Sequence, residues 1–169
     1  MTAPVKSSPT ALRVLGVDHG LLHTGYGVVA REPQRVVCLD WGVIVTSPRQ
    51  SLAQRLQRIY GELGAVIQRW KPDVMAIEAA IYAQNVRTAL LMGQARSAAL
   101  LAGANRELPI FEYSPKRIKS AVVGNGSATK DQVRFMVSRI LGLPERALNY
   151  DAADALAAGI CHMHQLQLR

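Results

Sequence analysis

Four acidic residues are the part of the sequence with the clearest potential for chemistry. Asp18 and Glu78 each end a short apolar segment, L-R-V-L-G-V-D and V-M-A-I-E, while Asp151 and Asp154 stand three residues apart in N-Y-D-A-A-D-A-L-A-A-G-I. Clustered carboxylates raise one another's pKa unless cations neutralise them, and their oxygen atoms suit Mg²⁺ or Mn²⁺ better than zinc. Together they indicate a divalent-metal site, where two ions about 4 Å apart can orient a water and hold a scissile phosphate.

Each of these acids also has a structural explanation when it is taken alone. Asp151 is well placed to be an N-cap or first-turn residue of an alanine-rich helix, where the helix dipole favours negative charge. The same explanation does not extend to Asp154, which needs either solvent or a partner. Because residues three apart lie on one helix face, we expect Asp151 and Asp154 to point the same way.

The positions of Asp18 and Glu78 depend on how their two strands are arranged. The two-residue period of a strand puts each acid on the same face as alternate residues of its apolar segment. If the strands are neighbours, the two carboxylates meet at the carboxyl ends, where open α/β sheets usually place their chemistry.

The elements that must position these residues follow from the hydrophobic pattern. We predict strands at 12–18, about 26–31, about 35–45, 74–78 and 109–113, and helices at 51–69, about 85–105, from 114–117 onward, about 130–141 and in the Asp151 segment. Thr129 and Gln132 form a capping box for the helix that begins at 130. The order predicts a mixed α/β sheet whose first three strands are antiparallel and whose later strands are parallel, with helices on both faces.

Composition indicates one globular domain and a polyanionic partner. The chain has 169 residues, 49% of them hydrophobic, and carries 20 Lys+Arg against 12 Asp+Glu, a net charge of +8. We predict a flexible tail at 1–10 and a single domain at 11–169. The charge favours nucleic acid, although a basic protein without a functional basic patch remains the alternative. Two distant cysteines and the lack of a long apolar run predict a cytoplasmic protein with no membrane span.

Basic residues concentrate around a glycine loop in S-P-K-R-I-K-S-A-V-V-G-N-G-S-A-T-K-D-Q-V-R. This stretch supplies five candidates for DNA binding: Lys116, Arg117, Lys119, Lys130 and Arg134. Lys130 lies in the first turn of a helix, where a cation opposes the helix dipole but where phosphate is attracted. That cost favours a functional role over an ordinary solvated loop. A basic surface beside an acidic metal centre is the combination expected of a nuclease, because the cations bind the phosphate backbone and the metal ions cut it.

Five segments resemble a known family. G-V-D-H-G-x-x-x-T-G-Y-G, A-I-E, L-x-x-G-Q-A-R, G-N-G-S-A-T-K and D-A-A-D-A-L-A occur in the order seen in RuvC-type Holliday-junction resolvases, over residues 12 to 164. The resemblance implies a ribonuclease-H-like fold, a homodimer and Mg²⁺-dependent cutting of four-way DNA junctions in recombination and repair. It also implies symmetric nicks in two opposing strands and cooperation with a branch-migration motor of the RuvA–RuvB type.

The resemblance also implies roles for particular residues. The family's catalytic carboxylates map onto Asp18, Glu78, Asp151 and Asp154, and Lys119 and Lys130 are expected to serve DNA binding or catalysis, with Lys130 near the scissile phosphate. A ribonuclease H or rRNA-processing nuclease on the same fold is the enzymatic alternative. A junction-binding or RNA-binding module without catalysis is the alternative from another class.

Two positions depart from the family pattern. His19 stands where the family usually has proline, and it either approaches the metal centre or occupies a turn; we favour the turn. Ile81 stands where the family commonly has an aromatic residue that stacks on junction bases, and Tyr82 follows it. Either Tyr82 takes over the stacking or Ile81 acts as an apolar wedge.

Two further segments have structural interpretations. The small-residue helix at 85–105 is apolar on more than one face, which fits burial in a single core as well as packing on the sheet and on a partner subunit. The resemblance to a homodimeric family favours the partner subunit. Cys161, His162 and His164 lack a second pair of zinc ligands, so we interpret them as a frayed polar tail of the last helix.

Overall fold

A computed structural model of the chain describes residues 11–79 and 85–166. Its strands are β1 (Arg13–Asp18), β2 (His23–Arg31), β3 (Val36–Val45), β4 (Val74–Glu78) and β5 (Ile110–Tyr113). Its helices are α1 (Leu52–Trp70), α2 (Val86–Ala104), α3 (Pro115–Val123), α4 (Lys130–Leu141) and α5 (Tyr150–Gln165), with a short 3₁₀ turn at Glu145–Ala147. Every predicted element is present, and β2 begins earlier than expected. The predicted tail at 1–10 lies outside the described residues.

The five strands form one sheet in the order β3-β2-β1-β4-β5. β1 pairs antiparallel with β2, and β2 pairs antiparallel with β3. β4 runs parallel to β1 on one side and to β5 on the other. The predicted mixed sheet is therefore confirmed, with the two strands that end in carboxylates side by side in its interior.

Helices cover both faces of the sheet, as predicted. α3, α4 and α5 pack on the face to which Val14 and Ala76 point. α1 and α2 pack on the opposite face, against Leu15, Val17 and Ile77. This alternation along β1 and β4 follows the two-residue period of a strand, and it explains why both central strands are apolar throughout. No helix among the described residues is both long and apolar enough to cross a membrane.

The helix α5 lies unusually close to the sheet because glycine stands beneath it. A Cβ atom added at Gly16 of β1 would lie 1.9 Å from the carbonyl oxygen of Ala155, and one added at Gly25 of β2 would lie 2.0 Å from that of Asp151. Backbone atoms of a packed helix cannot move aside as a flexible side chain does. Only glycine at these two positions permits the observed contact.

Gly16→Ala is therefore expected to destabilise the protein by about 3 kcal/mol or more, at the upper end of the cost of overpacking, because α5 must shift away from β1. Gly61→Ala is the matched control, since nothing lies within 4 Å of a Cβ at that position of α1. It should stabilise the protein by roughly 0.5–1 kcal/mol through helix propensity. Urea unfolding of both variants measures the two effects. A Gly16→Ala variant as stable as the wild type would contradict the close contact.

The end of α5 corrects one prediction. His162 belongs to the helix and is only 3% exposed, so it is not part of a frayed polar tail. Its Nδ1 is hydrogen-bonded to the hydroxyl of Tyr113 on β5 at 2.7 Å, and Phe111 packs against its ring. His164, two residues further along the chain, is hydrogen-bonded through Nδ1 to the carbonyl of Ala121 at 3.0 Å. These partners lie far away in the sequence, which is why the local pattern did not reveal them.

Burial lowers the pKa of His162, because the folded protein favours the neutral ring. A lowered pKa of a base contributes stability above its ordinary value of about 6.5, and that stability is lost as the pH falls through this value toward the folded-state pKa. We expect the stability advantage of the wild type over His162→Asn to shrink between pH 7.5 and pH 5. Urea unfolding at both pH values measures it, and an equal advantage at the two would refute the interpretation.

Candidate active site

The first two carboxylates are placed by the pairing of β1 with β4. Gly16 pairs with Ala76 and Val17 with Ile77, so Asp18 and Glu78 follow at the adjacent carboxyl ends of two parallel strands. β5 holds the other side of β4, since the amide of Ala79 donates to the carbonyl of Tyr113 at 2.9 Å. The backbone at Glu78 is thereby fixed on both sides.

The other two carboxylates come from the beginning of α5. Asn149 is the N-cap residue, and its side chain accepts from the amide of Ala152 at 2.9 Å. Asp151 is thus not the cap but a first-turn residue. The helix dipole favours its negative charge in that turn. Asp154 lies one turn further, with 23% of its side chain exposed. Because glycine lets α5 approach the sheet, this turn reaches the strand ends that carry Asp18 and Glu78.

Three of the four acids line one cavity of about 340 Å³ together with both candidate lysines. Its polar lining consists of Asp18, Glu78, Asp154, Lys119 and Lys130. Lys130 Nζ lies 3.9 Å from Asp154 Oδ2, which makes a partly exposed ion pair. Asp151 instead lines an adjoining cavity, although its charge still acts on Asp18 and Asp154. Asp151 and Asp154 therefore do not share one cavity.

The acids in this cavity repel one another in a poorly solvated place. Burial, followed by the charges of Asp154, Glu78 and Asp151, raises the pKa of Asp18 to about 8. Burial and the charge of Asp154 also raise the pKa of Glu78. For Asp154, burial raises the pKa while Lys130 opposes the rise. The protein thus concentrates more negative charge than its own lysines balance, which is the condition that a bound divalent cation relieves.

The donor chemistry suits a hard divalent cation, because the carboxylates offer oxygen ligands at a charged, partly open site. Across residues 11–79 and 85–166, however, no three acidic, histidine or cysteine side chains converge closely enough to form a finished metal site. The four-carboxylate metal site stays a prediction.

His19 lies in the turn that follows β1. Its Nε2 is 3.1 Å from the backbone carbonyl of Glu78, and the ring is only 7% exposed. Burial lowers the pKa of His19. Because a carbonyl oxygen can only accept, Nε2 is the donor of this hydrogen bond. The turn position that we favoured is what the structure shows. The histidine also fastens the end of β1 to the end of β4, a contact that the usual proline cannot make.

The other basic candidates differ in how far their side chains are engaged by contacts within the protein. Lys116 is exposed and its side chain packs beside Gly126 in the glycine loop. Arg117 bonds to Gln165 and lies over the ring of Tyr113. These contacts hold Arg117 against the protein itself.

Arg134 is engaged within the protein as well. It lies 3.4 Å from Asp131 and 3.8 Å from Glu145, and its guanidinium stands 4.5 Å from the ring centre of Tyr150. These contacts engage its guanidinium within the protein, and its binding to DNA stays a prediction. Ile81 and Tyr82 lie outside the described residues.

An ion pair that the sequence did not reveal supports β5 beside Glu78. Arg96 of α2 and Glu112 of β5 are 2.5 Å apart, and the arginine is mostly buried. Glu112 pairs with Ile77 of β4, one residue before Glu78. Arg96 stands in the segment L-x-x-G-Q-A-R that carried the resemblance, so a signal was present. Its partner could not be identified before the helix and the strand were placed together.

A five-stranded mixed sheet with helices on both faces, acidic residues at the ends of its central strands and lysines facing them defines the class of ribonuclease-H-like nucleases. A family model described as crossover junction endodeoxyribonuclease RuvC matches residues 14–162. The chain belongs to the RuvC family.

Individual relatives agree with this assignment. The chain is 45% identical to the RuvC of Geotalea uraniireducens over 89% of this chain and 88% of that protein. It is 47% identical to the RuvC of Pelotomaculum thermopropionicum over 89% and 92%. Among solved structures, Thermus thermophilus RuvC in complex with Holliday junction substrate superposes with a TM-score of 0.87 at 33% identity, covering 93% of this chain and 96% of that one. The yeast mitochondrial resolvase, at 18% identity and a TM-score of 0.63 over 93% and 81%, shares the fold.

Replacing Asp18 with asparagine should stabilise the metal-free protein, because it removes one of several mutually repelling charges. A raised pKa of an acid costs stability progressively as the pH rises from the ordinary value to about 8. The gain from Asp18→Asn should therefore be larger at pH 8 than at pH 5 and exceed about 1.4 kcal/mol, the equivalent of one pKa unit. Urea unfolding in a chelator measures it, and added Mg²⁺ should narrow the gap by stabilising the wild type.

The matched control is Glu32→Gln, which alters an exposed acid paired with Arg35 far from the cavity. It should change stability by less than about 0.5 kcal/mol. A gain for Asp18→Asn that does not depend on pH, or no gain at all, would show that the acids are not electrostatically strained.

Proposed function

We propose that this chain resolves four-way DNA junctions by hydrolysing one phosphodiester in each of two opposing strands, with Asp18, Glu78, Asp151 and Asp154 as its catalytic carboxylates. The observation that carries the proposal is the cavity in which Asp18, Glu78 and Asp154 face Lys119 and Lys130. It lies at the carboxyl ends of parallel strands in a member of the RuvC family.

The roles of the residues follow from their charges and positions. Asp18, Glu78, Asp151 and Asp154 would hold two Mg²⁺ ions, or Mn²⁺ as a substitute, which when bound polarise the scissile phosphate and lower the pKa of water. Lys119 and Lys130 supply positive charge on the side of the cavity formed by α3 and α4, where a phosphate needs it. Lys130 also balances Asp154 in the metal-free protein, at 3.9 Å.

The homodimer belongs to the same proposal, with α2 as its main contact. Leu90 and Leu101 of α2 are 63% and 53% exposed, although the opposite side of the helix is buried against the sheet. An apolar groove of about 330 Å³ runs between α1 and α2, beside Leu56, Tyr60 and Ala98. A two-fold dimer through this surface presents two equivalent sites to the two equivalent strands of a junction.

A branch-migration motor of the RuvA–RuvB type is the second proposed partner, and the cytoplasm is the proposed location. Family membership supports both. Movement of the junction by such a motor would bring successive phosphates to the two sites of the dimer.

The decisive test is nicking of a synthetic four-way junction in Mg²⁺ by the wild type and by Asp154→Asn. We expect symmetric nicks from the wild type and a loss on the order of 10²-fold or more in the variant, because Asp154 would act directly on the reacting centre. Binding of the junction by the variant should persist in chelator. Glu62→Gln, an exposed acid of α1 paired with Arg58, is the control and should cleave normally.

Two outcomes would support the other candidate functions. Preferential cleavage of an RNA–DNA hybrid over the junction would indicate a ribonuclease H or rRNA-processing activity. Junction binding without turnover in Mg²⁺, Mn²⁺ or any other divalent ion would indicate a binding module.

A further inference from the structure

A second cavity adjoins the catalytic one, and apart from Asp151 its lining has no role in the function described so far. It measures about 430 Å³ and lies between the β1–β2 turn, the end of β3, and the first turns of α1, α2 and α5. Met92 lines both cavities, and Asp151 closes the second one as Asp154 closes the first. The two cavities therefore adjoin at Met92, with three of the carboxylates lining the first and Asp151 lining the second.

Arg55 is the cation of this second section, and the protein holds it in place without neutralising it. Its Nε donates to Thr46 Oγ1 at 3.0 Å, and that buried hydroxyl donates in turn to the carbonyl of Leu21 at 2.5 Å. Throughout residues 11–79 and 85–166, no acid forms an ion pair with Arg55. The remaining guanidinium donors are thus available to a ligand, while the orientation of the group is set in advance.

The rest of the lining suits one nucleotide. Leu21, Leu22, Pro48, Leu91 and Met92 form apolar walls, and His23 and Thr88 add polar groups. A guanidinium beside apolar walls matches a phosphate joined to a sugar and a base, because the base can lie against the apolar surface. The apolar walls carry no donor that distinguishes one base from another.

We propose that this cavity binds the nucleotide that flanks the scissile phosphate on the side away from Lys119 and Lys130, with its phosphate on Arg55. The DNA strand then crosses the carboxylates from one cation to another. The proposal rests on the proposed cleavage of junction DNA, and it assigns Arg55 to substrate binding. Continuity supports it: the cavity lined by Asp154 adjoins, at Met92, the cavity that Asp151 and Arg55 line together.

Arg55→Gln tests the proposal, and Arg58→Gln is its matched control. Both arginines belong to α1, but Arg58 is exposed and already paired with Glu62 at 2.7 Å. Measured in chelator, Arg55→Gln should bind a four-way junction roughly 3- to 10-fold more weakly and lower the slope of log K against log salt by about one, as expected for one lost phosphate contact. Arg58→Gln should leave both values unchanged. Equal behaviour of the two variants would overturn the proposal.

Arg55→Lys separates charge from structure. It keeps the cation and loses the bond geometry to Thr46, so it should retain the wild-type salt slope even if thermal melting shows lower stability. If Arg55→Lys lowers the slope as much as Arg55→Gln does, the effect comes from the fold and the proposal fails.

A scan with single methylphosphonates locates the contact on the wild-type protein. Junctions that carry one neutral phosphate at each position near the cleaved bond are tested for binding in chelator. Neutralising the phosphate that Arg55 contacts should weaken binding by the wild type but not by Arg55→Gln, and the same holds for Lys119 and Lys119→Gln. The two phosphates identified in this way should lie on opposite sides of the scissile phosphate. Both on one side, or no sensitivity beyond the Lys119 side, would overturn the proposal.

The controls also separate this inference from the function on which it rests. A wild-type protein that fails to nick the junction in any divalent metal refutes the proposed function. A wild-type protein that nicks normally, with Arg55→Gln indistinguishable from Arg58→Gln, refutes only the role of Arg55.

Discussion

The close contact between α5 and the centre of the sheet is the constraint on which the rest of the site depends. Two of the four acids come from strands and two from a helix, so the distance between the layers sets the distance between the charges. Gly16 and Gly25 remove the side chains that would hold α5 away from β1 and β2. The alanines of α5 serve the same end from the other side, because they let the helix bury most of its surface against the sheet. The spacing of the acids in the active site therefore depends first on how closely α5 packs against the sheet.

The same contact gives the site its electrostatic character. An acid carried to the sheet on a closely packed helix loses solvent, and it meets other acids that have lost theirs. The raised pKa of Asp18, at about 8, records both effects. Lys130 offsets part of the repulsion through Asp154, at a distance that leaves the cavity open. The protein therefore carries a local electrostatic cost in its metal-free state, which is common where function and stability make opposite demands on one set of residues.

Most of the fold could be predicted from the sequence because local residue patterns indicate its helices and strands. The continuous apolar runs of β1 and β4, the capping box at Thr129 and Gln132, and the break before Val74 are all properties of neighbouring residues. The candidate acids were also accessible, since a charge at the end of an apolar strand is conspicuous. Side-chain partners across the fold were not accessible. Arg134 of α4 pairs with Glu145 of the following 3₁₀ turn, and His162 of α5 is buried against Tyr113 of β5. These contacts form only when the elements come together in the folded protein. The assignment of Asp151 and Asp154 to different cavities depends likewise on where α2 runs.

The strand order divides the site into a rigid part and an adaptable part. β1 and β4 are interior strands with hydrogen-bonded neighbours on both sides, so the backbone that carries Asp18 and Glu78 opens only when much of the sheet opens with it. Lys119 and Lys130 lie on helices packed over the sheet, outside its hydrogen-bonded network. Local fluctuation can reposition the lysines without disturbing the strand carboxylates. A nuclease that meets a branched substrate of variable shape thereby keeps its two strand carboxylates fixed while the lysines adjust to the substrate.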